Sequence, residues 1–246
     1  MSIALRAAGA THTGRKRRGN EDAHRIDLDH GIFLVADGMG GHAAGEIASE
    51  LAAAIVSRSL AEAAARDIRG AEWDEALRAA VREAHAGIAE CCEDDIRTRG
   101  MGTTLTACVV EAPGVCHIGH IGDSRAYLLR DGVLSQLTRD HTWVQRELDS
   151  GLIAPDVATK HPLSHILTRV LTADLPPEID VLSPPSLPGD LLLLATDGLY
   201  NMLSDSQILA LLTADSPLPA RAASLISAAN RTGGMDNITA IVIEVE

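Results

Sequence analysis

The sequence predicts an α+β fold in which helices pack on mainly antiparallel sheets. Aliphatic, β-branched runs come in consecutive groups joined by short turns, not alternating one by one with helices. Two long Ala-rich helical patterns fall together between the early and the middle strands. The core must be aliphatic, because hydrophobic residues make up 46% of the 246 residues while aromatics supply only 2%.

In chain order, "GIFLVA" (31–36) is the first strand. Helices follow at about 43–66 and 72–92, with apolar residues three and four apart. "TTLTACVV" (103–110), "VCHIGHIG" (115–122) and "RAYLLR" (125–130) are strands bounded by Gly, Pro or Asp, and "RDGVL" (130–134) carries an Asp-Gly hairpin signal. Shorter helices are expected near 141–150, 205–213 and 217–230, with starts at Ser204-Asp205 and Ser216-Pro217. The proline-rich stretch 151–188 reads as a long loop region with one short helix. "DLLLLA" (190–195) and "ITAIVIEV" (238–245) supply the last strands. No internal repeat is visible, and residues 1–246 read as a single domain.

The net charge of −13 argues against a nucleic-acid surface, since phosphate backbones demand Lys and Arg. An anionic substrate would need a local reversal of that field. The longest purely aliphatic run, "LLLLA" (191–195), cannot span a bilayer. The N-terminal stretch lacks an apolar signal core, so a cytoplasmic protein without membrane insertion is expected. Four cysteines with no Cys-x-x-Cys spacing read as reduced thiols.

Chemistry is suggested by a recurring design. Asp37-Gly38 ends an apolar run in "FLVADGMGGHAAGE", and Asp197-Gly198 ends another in "LLLLATDGLY". Asp123 sits in a tight turn between two strands, Asp236 precedes the last strand, and Glu21 and Asp22 lie together near the N-terminus. One Asp-Gly is a turn. Several strand-end acids without matching cations raise each other's pKa, a cost that a divalent cation relieves. All-oxygen ligands without Cys or a His cluster suggest a hard ion, Mg²⁺ or Mn²⁺. The letters G-M-G-G-H-A (38–43) also fit a dinucleotide fingerprint, but the second strand that such a unit needs is replaced by the helical "AIVSRSLAEAAA".

Seven stretches then appear in order: "THTGRKRRGNEDAH", "FLVADGMGGHAAGE", "GMGTTLTACVV", "HIGDSRAYLLRDG", "LTRDHTWVQREL", "LLLLATDGLYNML" and "GGMDNITAIVI". Over nearly its whole length the chain resembles the metal-dependent serine/threonine protein phosphatases of type 2C, in their compact bacterial form. The resemblance implies a four-layer α-β-β-α sandwich, with a flap at about 145–172 that shapes substrate access. It implies a two-ion core site for Mn²⁺ or Mg²⁺: Asp37 bridging, Glu21 and the Gly38 carbonyl on one ion, Asp197 and Asp236 on the other. Asp123 matches a weaker third site, and Asp22 a residue that orients water. Arg17, three residues before Asn20-Glu21-Asp22, matches the phosphate-gripping arginine, a fork suited to two phosphoryl oxygens. Arg15, Lys16 and Arg18 read as a solvated basic patch.

The implied reaction is hydrolysis of phosphoserine and phosphothreonine in proteins by a water that two metals activate. The implied partners are phosphorylated proteins and a cognate Ser/Thr kinase, with control of type VI secretion as one setting and a monomer expected. The chain departs from the family pattern at several positions. His12 stands where an Asp is usual, and Asn201 where an acid is common. Met39 occupies the place of a histidine that serves eukaryotic relatives as general acid, which leaves the nearby His42 as candidate. A non-catalytic phosphoprotein-binding domain, a small-molecule phosphoesterase and a SpoIIE-like regulator phosphatase are the alternatives. The first would be expected to have lost the acids that are intact here.

Overall fold

The alternation of side chains along the aliphatic strands sorts them into two cores, one on each face of a sheet. The computed structural model describes residues 4–40, 44–111, 114–158 and 161–246. The first half contains β1 (Leu5–His12), β2 (Asp22–Asp27), β3 (Ile32–Met39), α1 (Ala44–Ala64), α2 (Glu72–Asp94), β4 (Gly102–Thr103), β5 (Leu105–Glu111) and β6 (Val115–Ile121). Then follow β7 (Arg125–Arg130), β8 (Val133–Gln136), α3 (Trp143–Asp149), α4 (Pro155–Ala158), β9 (Leu171–Thr172) and β10 (Asp180–Leu182). The chain continues through β11 (Leu191–Ala195), α5 (Asp197–Tyr200), α6 (Asp205–Leu212), α7 (Leu218–Arg231) and β12 (Ile238–Val245).

One sheet has the order β1-β12-β11-β7-β8; the other runs β10-β6-β5-β3-β4-β9, with β2 also on β3. The pairings among these strands are antiparallel. Phe33 and Val35 point between the sheets with Leu192, Leu194, Ile241 and Ile243. Their neighbours Ile32, Leu34 and Ala36 face α1 and α2, while Leu191, Leu193 and Ala195 face α6 and α7. This two-residue period is what buries both faces of each strand. The layers are therefore helix, sheet, sheet, helix, as the resemblance implies.

Two strands arise where the sequence suggests none. β1, "LRAAGATH", is Ala- and Gly-rich, yet it pairs with β12 over its full length, from Leu5↔Val245 to His12↔Ile238. β2, "DAHRID", is polar and lies on the flank of β3. The 151–188 stretch holds α4 and also the short strands β9 and β10. Asp197-Gly198 opens a single helical turn, α5, and is not a bare turn. Ser204 begins α6 with a capping box: its hydroxyl accepts from Gln207 N–H while Gln207 accepts from Ser204 N–H. At α7 the cap falls on Pro217 and not on Ser216. The four cysteines are free. Among the described residues no helix is long and apolar enough to cross a membrane.

Candidate metal centre

The strand-end acids reach one place because their strands are neighbours. Asp22 opens β2 directly opposite Asp37 on β3. Asp197 follows β11 and Asp236 precedes β12, and these two strands pair. Asp123 lies in the link between β6 and β7, and β7 pairs with β11.

Both Asp-Gly motifs need their glycine for the same reason. A Cβ on Gly38 would lie 2.0 Å from the Gly45 carbonyl oxygen, and one on Gly198 would lie 1.9 Å from that of Asn237. Main chain from another segment passes directly over each glycine, a contact that only a residue without Cβ permits. The Gly38 N–H donates to the Glu21 carbonyl at 3.0 Å, which ties the Glu21 segment to the end of β3. Ser49 Oγ of α1 donates to the same carbonyl at 2.5 Å.

The electrostatics are those of crowded acids. Burial, then Asp22 and Asp197, push Asp37 well above the usual carboxylate range. Burial, then repulsion from Asp236, raises Asp197 to about 6. Asp22 is raised to about 7 by burial, against the opposing pull of hydroxyl bonds from Thr239 (2.6 Å) and Thr196 (2.8 Å) to its Oδ2. Asp123 is raised to about 8 by burial, then by Asp197 and Asp140. Glu21 is raised chiefly by burial. Asp197 Oδ1 and Asp22 Oδ1 are buried and meet no N–H or O–H donor among the described residues. Asp37 lies within hydrogen-bond reach of Asp197, but it can donate only if it keeps a proton. The cluster thus demands positive charge, whether protons or a cation, and its all-oxygen donor set suits a hard ion. Among the described residues, no three His, Cys, Asp or Glu side chains form a closed ligand set.

Arg17 supplies a cation from outside. Its Nη2 donates to Asp236 Oδ2 at 2.7 Å, and the side chain is half exposed. Asn201 Nδ2 donates to Asp197 Oδ2 at 3.1 Å, so the departure at this position exchanges a negative charge for a donor. His42 lies outside the described residues. His117 and His120 are packed inside, His117 against Glu111 and Ser183, and His120 between Thr106 and the Arg139 carbonyl.

Asn237 is the organising residue that the sequence reading misses. Its Oδ1 accepts the Glu21 N–H, while its Nδ2 donates to the carbonyls of Thr13 and Gly19. One side chain thus fixes both ends of the loop carrying Arg17 beside Asp236. The signal available was its place in "MDN", an amide-bearing residue directly after the acid.

The protein phosphatase 2C family model matches residues 8–233. The serine/threonine phosphatase Stp of Listeria monocytogenes is 37% identical over 243 residues, covering 98% of this chain and 96% of that protein. The serine/threonine protein phosphatase PstP of Mycobacterium tuberculosis is 40% identical over 247 residues, which span 100% of this chain and 46% of the relative. A PstP catalytic domain solved with two manganese ions superposes with a TM-score of 0.88 at 38% identity, covering 99% of both chains. PppA, a regulatory component of type VI secretion in Pseudomonas aeruginosa, superposes with a TM-score of 0.83 at 32% identity, covering 98% of both.

Proposed function

The chain belongs to the protein phosphatase 2C family, and from that premise we propose that it is a metal-dependent protein-serine/threonine phosphatase. Its substrates would be the phosphate monoesters of phosphoserine and phosphothreonine in proteins. The observation that carries the reading is the buried acid cluster with the donorless Asp197 Oδ1 and one exposed arginine at its rim. The two manganese ions of the PstP relative support Mn²⁺ or Mg²⁺ in a two-ion site here. Asp37 would serve both ions, with Glu21 and the Gly38 carbonyl on one and Asp197 and Asp236 on the other, and Asp123 would hold a weaker third. When bound, such ions neutralise the carboxylate field, polarise the phosphoryl group and make water nucleophilic at neutral pH.

The chain's own groups do the rest. Arg17 is held near the acids yet accessible, so it can leave Asp236 and grip two phosphoryl oxygens. Asp22 is anchored through Oδ2 by Thr196 and Thr239, which leaves Oδ1 to orient the attacking water. His42 is the candidate proton donor to the departing seryl or threonyl oxygen. Residues 1–246 act as one catalytic domain with a flap at about 145–172. We place it in the cytoplasm as a monomer opposing a Ser/Thr kinase, and the likeness to PppA supports a type VI secretion setting.

The deciding experiment is phosphate release from a phosphothreonine peptide with Mn²⁺, with and without chelator, for wild type and Asp197→Ala. Release that chelator and the substitution both abolish is expected. Hydrolysis insensitive to chelator overturns the reading.

A further inference from the structure

Beside the acid cluster lies a cleft of opposite character. It measures about 460 Å³ and lies where the end of β1 and Arg15 meet a flank of α7, with His12, Arg15, Ile226, Ser227, Asn230 and Arg231 among its lining. No Asp or Glu lines it, although the chain carries 34 acidic residues against 21 basic ones. Many arginines elsewhere are held by acids, such as Arg6 by Glu244 and Glu246, Arg58 by Glu83 and Arg130 by Asp190, while Arg78 and Arg221 reach only main-chain carbonyls. Among the described residues, Arg15, Lys16, Arg18 and Arg231 have no such partner, and all four are exposed. Arg231 bonds only the neutral Ser227 hydroxyl, at 2.7 Å.

The position of this cleft relative to the reaction is fixed. Arg15 N–H donates to the Gly234 carbonyl at 2.7 Å, and Arg17 reaches Asp236 from the same loop. Two residues of chain span at most about 7 Å, so the cleft opens within a few residues' reach of the phosphate-gripping arginine. A protein of net charge −13 repels an acidic substrate over most of its surface. The basic loop and cleft offer positive charge beside the proposed site.

We propose that this cleft is a subsite for acidic side chains of the substrate protein, two to four positions from the phosphoresidue. The assignment rests on the phosphatase reading above. Arg15 and Arg231 face the substrate carboxylates from opposite walls, one on the loop and one on α7. Their exposure makes the contribution one of selectivity, not of tight binding.

The test uses the full chain with Mn²⁺ and three phosphothreonine peptides. One carries glutamates two to four positions before the phosphothreonine, one carries them after it, and one has glutamines in both places. An acidic peptide of one direction is expected to show KM about fivefold below that of the glutamine peptide, at equal kcat, as two exposed ion pairs would give. The advantage should shrink in high salt. The double variant Arg15→Gln, Arg231→Gln should treat all three peptides alike, with a wild-type melting temperature. Equal KM values in wild type, or an acidic preference that survives in the double variant, overturns the subsite. Hydrolysis of none of the peptides sinks instead the phosphatase reading beneath it.

Discussion

Two buried charge clusters lie side by side and are built on opposite plans. In the first, Arg125 grips Asp140 with Nε (2.9 Å) and Nη2 (2.7 Å), donates to the Tyr127 hydroxyl, and stacks 3.6 Å over the Tyr200 ring. Gln136 donates to Asp140 as well. In the second, Asp22, Asp37, Asp197 and Asp236 share one rim arginine, and two of their oxygens meet no donor among the described residues. Asp123 sits at the join, its carbonyl accepting from Tyr200 and its carboxyl facing Asp197. The satisfied cluster is a strut. The unsatisfied one stores a cost that a bound charge removes, which supports it as the proposed working site.

The sharpest way to break this contrast is Asp197→Asn. Phosphopeptide hydrolysis should fall at least about a thousandfold if Asp197 holds a metal as proposed, because that charge is lost. The chelated protein's melting temperature should hold or rise, since folding already disfavours that charge. A large drop in stability would make Asp197 another strut. Arg125→Met should do the reverse and destabilise the fold by about 3–5 kcal/mol in urea titrations, by stranding Asp140.

Acidity sharpens the comparison further. Burial, then His141, pushes His120 down to about 4, so folding keeps it neutral. Its contribution is complete above the ordinary value near 6.5 and is lost as pH falls toward 4, about 3 kcal/mol at most. Urea titrations of wild type against His120→Asn between pH 7 and 4.5 read that difference directly. The acids carry the opposite sign. Asp197, Asp22 and Asp123 are raised to about 6, 7 and 8, so their stabilisation belongs to low pH and is lost as pH rises through those values. Melting temperatures of chelated protein should therefore fall between pH 6 and 8, and Mn²⁺ should flatten that slope. The smallest effect is expected from Arg17→Gln. KM for a phosphopeptide should rise about tenfold, the loss of a charge-assisted fork. Mn²⁺ affinity by calorimetry should stay near wild type.

What the sequence discloses follows from where the forces act. β7 and β12 match their expected spans: β12 is a dense aliphatic run buried on both faces, and β7 is a short apolar run bounded by an arginine at each end. β1 is illegible locally because Ala and Gly carry little strand preference, and its partner lies more than two hundred residues away. The acids are legible through their repetition at strand ends. Their supports are not: Thr196 and Thr239 reach Asp22 from two other strand segments, and Asn237 fixes a loop that no periodicity announces. His42, the proposed proton donor, falls among the residues not described.

The pairing of β1 with β12 carries a consequence for how the molecule comes to life. Synthesis makes β1 more than two hundred residues before the strand that covers its edge and brings Asp236 to Arg17. Until then the loop from 13 to 19 has neither Asn237 nor Gly234 to lie against. A ribosome-bound chain stalled before that strand would be inert, so the first turnover serves as a receipt for completed assembly.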